Sequence, residues 1–204
     1  MHISDGVLSL EVTVVSTIVA FAFFVYSFRS LNNEKIVLAS AFSALFFIAS
    51  FIHIPFGPTQ IHLMLLGFIG VFLGSVAIFS ISLALILQAL LLGFGGVSSI
   101  GVNVLIMGLA SYLVYIIFKL NFLKALNEKV KFFLIGFSGV FISTFILFLH
   151  LIISKDEYEK LSYTIVFANI PTMILEGLVT LFLFLYIKKT MPSLLKGLNI
   201  WDFF

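Results

Sequence analysis

Cysteine is absent from the 204 residues, so the chain has no disulfide framework, no thiol nucleophile and no thiolate metal site. Any metal it holds must sit on nitrogen and oxygen donors. Charge is scarce as well. Lysine and arginine number 11 and aspartate and glutamate 9, only 10% of positions, with a formal net charge of +2. So small a balance, carried by loops, argues against nucleic-acid binding. Also missing are the G-x-S-x-G, H-E-x-x-H and G-x-x-x-x-G-K-[ST] patterns of hydrolases, zinc proteases and phosphate-binding loops. Any energy input must therefore come from elsewhere.

What is present is hydrocarbon-like: 62% apolar residues, including 26 phenylalanines. This composition lies outside the soluble range and predicts an all-α integral membrane protein, a single polytopic domain over 1–204 in the cell membrane with lipid around it. Spans of about 20 apolar residues fall near 8–28, 35–54, 61–74, 75–92, 98–118, 132–153 and 169–187. The 61–92 block is cut in two because Gly67, Gly70 and Gly74 offer a break. Seven crossings place Arg29, Lys35, Lys119, Lys124, Lys129, Lys131, Lys188, Lys189 and Lys196 on one side. Asp5 and the stretch from Lys155 to Lys160 fall on the other. Basic residues mark the cytoplasmic face, so the expectation is an outside N-terminus and a cytoplasmic C-terminus. With six crossings the segregation would fail.

The outer side collects the polar segments. Met1-His2-Ile3-Ser4-Asp5-Gly6 has no basic n-region and no small-residue cleavage site, and is expected to persist in the mature protein. Its terminal amine, the backbone nitrogen of His2 and the His2 imidazole Nδ1 can close fused chelate rings around one divalent ion. A fourth nitrogen from elsewhere would complete a tetragonal set suited to Ni(II) or Cu(II). An ordinary surface histidine after a start methionine is the alternative. In the 54–62 turn, Thr59 is expected to cap a helix carrying His62 in its first turn. There the helix terminus would keep the imidazole neutral and able to ligate. The glycine-rich run 93–103 implies a loop folded inward, and Asn103 follows it, able to orient a ligand or to satisfy a carbonyl. Glu176 is the one acid well inside a span, read either as a hydrogen-bonded carboxyl fixing helix packing or as a support behind the ligands. His53 and His150 are read as interface residues.

Four segments carry a resemblance: Met-His-Ile-Ser-Asp-Gly at 1–6, Pro-Phe-Gly-Pro-Thr-Gln-Ile-His-Leu at 55–63, Gly-Gly-Val-Ser-Ser-Ile-Gly-Val-Asn at 95–103, and Ile-Pro-Thr-Met-Ile-Leu-Glu-Gly-Leu-Val-Thr at 170–180. Together they resemble the cobalt/nickel substrate-binding subunits of energy-coupling factor transporters, the CbiM/NikM family, nearly end to end. The resemblance implies a tucked N-terminus binding Ni(II) or Co(II) as transported substrate through Met1, His2 and His62. It also implies no organic cofactor and no catalysis. Implied partners are a transmembrane coupling subunit, cytoplasmic ATPases and, in many members, a small accessory membrane subunit. Small residues at spacing four, Ser40 with Ala44 or Gly70 with Gly74, are candidate docking faces for the coupling subunit. A membrane-embedded metalloenzyme with Glu176 as base, or a passive divalent-cation channel, remain the competing readings.

Overall fold

The computed structural model describes residues 2–56, 59–120 and 126–197. It is helical apart from one hairpin. Helix α1 (Leu10–Arg29) begins at Ser9, whose Oγ accepts from the Val12 N–H, and α2 (Asn33–Ala49) at Asn32, whose Oδ1 accepts from the Lys35 N–H. Both are small polar N-caps of the preferred kind. Strands β1 (His53–Phe56) and β2 (Thr59–His62) pair antiparallel, with His53 opposite His62 and Phe56 opposite Thr59. Then come α3 (Leu66–Leu73), one 3-10 turn (Gly74–Val76) and α4 (Ala77–Leu92). A continuous rod follows: α5 (Ile100–Asn103), a π turn (Val104–Leu109) and α6 (Ala110–Phe118). The chain continues with α7 (Glu128–Ser154), α8 (Glu159–Ala168), α9 (Ile170–Thr190) and the short α10 (Pro192–Gly197).

Five of these stretches are long and apolar enough to cross a bilayer: Leu10–Arg29, Leu66–Leu92, Ile100–Phe118, Glu128–Ser154 and Glu159–Thr190. Helix α2, at 17 residues, rises about 26 Å and falls just short of the hydrocarbon thickness. The Leu66–Leu92 stretch is not one straight rod. Gly74 sits at φ 57°, ψ −128°, a conformation open to glycine, and the chain reverses there. Helix α3 runs alongside α6 in the same direction, since Gly70 lies against Ser111 and Gly74 against the Tyr115 ring. Helix α4 returns beside the π turn, where Gly108 meets Ile78.

All eight residues of α3 are buried. A Cβ on Gly67 would stand 1.8 Å from the Ile135 carbonyl oxygen, and one on Gly70 2.0 Å from that of Ser111. The small residues of α3 are therefore consumed by packing inside the bundle, which removes Gly70 and Gly74 as a docking face. Ser40 and Ala44 remain exposed on α2. The rings of Phe68 and Phe72 on α3 pack with those of Phe132 and Phe184 at centroid distances of 4.8–5.8 Å. Outward-facing apolar residues such as Leu10, Ile18 and Phe21 on α1 are exposed, as a lipid-facing surface requires.

The start of the third helix departs from the sequence expectation. Thr59 and His62 lie in β2 rather than in a helix cap and first turn, because the segment 53–62 pairs with itself. The cap of α3 is Leu65, at φ 54° with no capping side chain of its own. Its free N–H groups are met from α9. Both Glu176 carboxyl oxygens accept from the Leu65 N–H at 3.0 Å, and Oε1 also accepts from the Met64 N–H. The carboxyl is buried, so it does for α3 what water does for an exposed helix start.

Candidate metal centre

The N-terminal segment folds back onto the end of the bundle where α2 and α4 finish and α5 begins. Two glycines make room for it. Gly95 has φ 78°, and a Cβ there would stand 2.6 Å from Asn103 Nδ2 and 3.2 Å from the Ile3 carbonyl oxygen. Gly96 has φ 88°, and a Cβ would stand 2.3 Å from the Asp5 carboxylate. Only glycine satisfies both the backbone angle and the closeness.

Asn103 then clamps Ile3 as a strand partner would. Its Oδ1 accepts from the Ile3 N–H at 2.9 Å and its Nδ2 donates to the Ile3 carbonyl at 3.0 Å. Asp5 latches the far side of the segment. Its Oδ1 accepts from the Ser98 hydroxyl at 2.7 Å and from the Ser99 N–H and hydroxyl, both at 2.9 Å. Those bonds, the Ser98 hydroxyl first, hold the Asp5 carboxyl below its usual pKa. Two further bonds tie the approach to α1: Tyr158 OH donates to the Val7 carbonyl at 3.0 Å, and the Ser9 N–H donates to Ser154 Oγ at 2.6 Å.

Between these clamps the His2 ring lies against two neighbours. It is near parallel to the His62 ring, with centroids 5.9 Å apart and planes 23° apart, and it tilts against Phe94 at 5.9 Å. Its Nε2 is 2.9 Å from Gln88 Oε1. Burial is the main reason the His2 pKa falls from 6.5 to about 4; the positive amino terminus adds to the fall and the Gln88 bond opposes it. The imidazole is therefore neutral at physiological pH and free to ligate. In a fused amine–amide–imidazole chelate the amine and Nδ1 stand opposite each other, so a second imidazole would be adjacent to the first, and bonds of about 2.0–2.1 Å put two such centroids roughly 4.5 Å apart. The rings, 5.9 Å apart, would have to close by about an ångström or more to share an ion.

Among the described residues no cluster of three or more His, Cys, Asp or Glu side chains could hold an ion. The donors available at this end are two imidazoles and main-chain nitrogen. Met1, the remaining expected ligand, lies outside the described residues, and so do the side chains of His53 and Thr59. His2, His62 and Asn103 are brought together. Glu176 binds the main chain two and three residues beyond His62. His150 is tied elsewhere, with Nδ1 2.8 Å from the Ile146 carbonyl and Nε2 3.1 Å from Ser16 Oγ. The sequence reading missed Gln88 and the latching role of Asp5. Gln88 did carry a signal, as the only amide in the apolar run from Leu66 to Leu92.

A Haemophilus influenzae relative is 29% identical over 206 residues, covering 96% of this chain and 97% of its own length. The cobalt transport protein CbiM of Clostridium tetani is 27% identical over 213 residues, covering 93% and 85%. A crystal structure of a transition metal transporter superposes with a TM-score of 0.79 at 23% identity, covering 93% of each chain, a likeness of fold. The family model for the cobalt uptake substrate-specific transmembrane region matches residues 2–194, and the chain belongs to that family of multi-pass membrane transport proteins rather than to the enzymes.

Proposed function

We propose that this chain is the ion-capturing membrane subunit of an ATP-driven uptake system for Ni(II) or Co(II). The observation that carries the reading is the facing pair His2 and His62, held at one end of the bundle by Gln88, Asn103 and Asp5. The ligand set is the terminal amine, the His2 amide nitrogen and Nδ1, and a His62 ring nitrogen. Four nitrogens in a tetragonal arrangement suit Ni(II) or Cu(II), and Co(II) enters through the cobalt transport relatives. They leave no equatorial position for a reacting water, which disfavours hydrolytic chemistry.

The site faces outward, and the chain crosses seven times. What supports this is the distribution of charge over the ends of the elements. Arg29, Lys35, Lys119, Lys129, Lys131, Lys188 and Lys189 flank the ends of α1, α2, α6, α7 and α9 remote from His2. Asp5 and the Lys155–Lys160 loop flank the near end. Counting the chain from β2 through α3 as one pass and α4 as the next, which the Gly74 reversal favours, makes the two termini fall on opposite sides. With no nucleotide-binding motif of its own, the subunit relies on a transmembrane coupling subunit and cytoplasmic ATPases to release the ion inward, with a small accessory membrane subunit in some assemblies.

Purified protein in detergent, titrated with Ni(II) and Co(II), is expected to bind one ion per chain and to bind less tightly in acid, because every donor must be unprotonated. A form extended ahead of Met1 should insert normally and lose tight binding, while a C-terminal tag should be harmless. Wild-type affinity in the extended form would remove the amine from the ligand set and end this reading.

A further inference from the structure

The proposed ligand set needs a bare His2 Nδ1, yet a neutral imidazole carries its proton on either nitrogen. We infer that Gln88 is the positioning residue that decides this, oriented in turn by Ser50. The inference rests on the capture reading given above, but its first test does not.

Ser50 terminates α2, and its hydroxyl donates to the Phe47 carbonyl at 2.6 Å. That uses its only proton, so towards Gln88 the Ser50 oxygen can act only as an acceptor. Gln88 Nε2, 2.9 Å away, donates to it. The amide is thereby fixed with its nitrogen towards α2 and its oxygen towards His2. Gln88 Oε1, at 2.9 Å from His2 Nε2, is an acceptor only, so Nε2 must carry the ring proton. Nδ1 is left with a free lone pair, on the side of the ring that can close a chelate with the main chain.

Gln88 and Ser50 are 0% and 3% exposed, so water does not compete for either group and the direction of the relay is not averaged away. Removing the orienting hydroxyl would let the amide turn over and offer its NH2 to His2, which would put the proton on Nδ1. Outer partners of this kind fix the tautomer and aim of ligating histidines, and their loss costs about 10- to 100-fold in metal affinity.

The test has two arms on intact protein in detergent. In the first, without metal, long-range 1H–15N correlation of 15N-histidine-labelled protein reads the His2 tautomer, with the His2 signal identified by its loss in His2→Ala. The expected result is a protonated Nε2 and bare Nδ1 in the wild type and in Gln88→Glu, whose carboxylate still accepts from Nε2. In Gln88→Met the preference should be lost, and in Ser50→Ala it should weaken. In the second arm, Ni(II) affinity should fall about 10- to 100-fold in Gln88→Met and be restored to within roughly threefold in Gln88→Glu. A side chain that merely fills space would give the reverse, since methionine is the better apolar filler. A wild-type His2 protonated on Nδ1, or a Gln88→Met protein with unchanged tautomer, overturns the inference. A correct tautomer in protein that binds no ion would instead sustain the relay and sink the capture reading.

Discussion

Replacing Glu176 by Gln separates its role in the fold from any role at the ion. In the wild type two carboxyl oxygens receive the Met64 and Leu65 N–H groups at the start of α3. The amide keeps one acceptor and turns the other into an NH2 facing donors, in a site closed to water. One buried donor left without a partner costs about 1–3 kcal/mol. For a chain of this size each kcal/mol moves Tm by about 2–4 °C, so Glu176→Gln should unfold roughly 2–12 °C lower. Glu176→Leu abandons both N–H groups and should lose at least twice as much. The carboxyl binds main chain at Met64 and Leu65, so Ni(II) affinity of Glu176→Gln should stay within about threefold, under roughly 1 kcal/mol. Thermal unfolding of metal-free protein, followed by a binding isotherm at low temperature, reads the two effects apart. Unchanged Tm with collapsed affinity would refute the capping argument and return Glu176 to the ion.

Three further outcomes are expected. His62→Ala should abolish tight Ni(II) binding, whereas His150→Ala, which loses only the Ile146 and Ser16 contacts, should leave affinity intact and cost about 1 kcal/mol of stability; equal losses of affinity would sink the site. Because the His2 pKa is lowered on folding from 6.5 to about 4, the unfolded chain binds the extra proton between those values. Metal-free wild type should therefore lose stability relative to His2→Gln as pH falls from 6.5 towards 4, by on the order of 1 kcal/mol per unit, and run parallel to it above 6.5; a Tm difference that is flat across that window would contradict the burial of the ring. Gly70→Ala should misfold or unfold early, since its Cβ would collide with the Ser111 backbone, while the exposed Ala44→Leu should fold and bind normally and reduce co-purification with the coupling subunit; unchanged assembly would remove α2 as the docking face.

Much of the site was legible because its chemistry is concentrated in few residue types. In a chain with no cysteine and four histidines, the resemblance singled out His2 and His62, whose rings the structure sets against each other, and Asn103, expected to orient a ligand or to satisfy a carbonyl, takes the Ile3 main chain. Long apolar runs likewise announced the helices by length alone. What was not legible depended on contacts between distant segments. The 59–62 stretch has a cap residue ahead of apolar positions and read as a helix start, but the antiparallel register of His53 with His62 took its backbone bonds instead. Glu176 looked equally suited to packing or to the ion until Leu65, at a left-handed angle with no cap of its own, supplied the reason for it. Gln88 is one polar interruption in an apolar helix, and only the position of Ser50 gives its amide a direction.

The dependence of α3 on Glu176 also bears on how the protein is made. Helix α3 has eight residues and rises about 12 Å, too short to reach from one headgroup layer to the other, and its first N–H groups open into the bundle interior. A ribosome delivers them more than a hundred residues before it delivers Glu176. Until α9 enters the membrane, that end of α3 has no partner within hydrocarbon, where a bare N–H is costly. The nascent 63–73 stretch must therefore wait near the interface or in the insertion machinery and settle only when the last long helix arrives. Inward placement of the segment that follows His62, and with it completion of the ion site, is then a late event in biogenesis set by the C-terminal third of the chain.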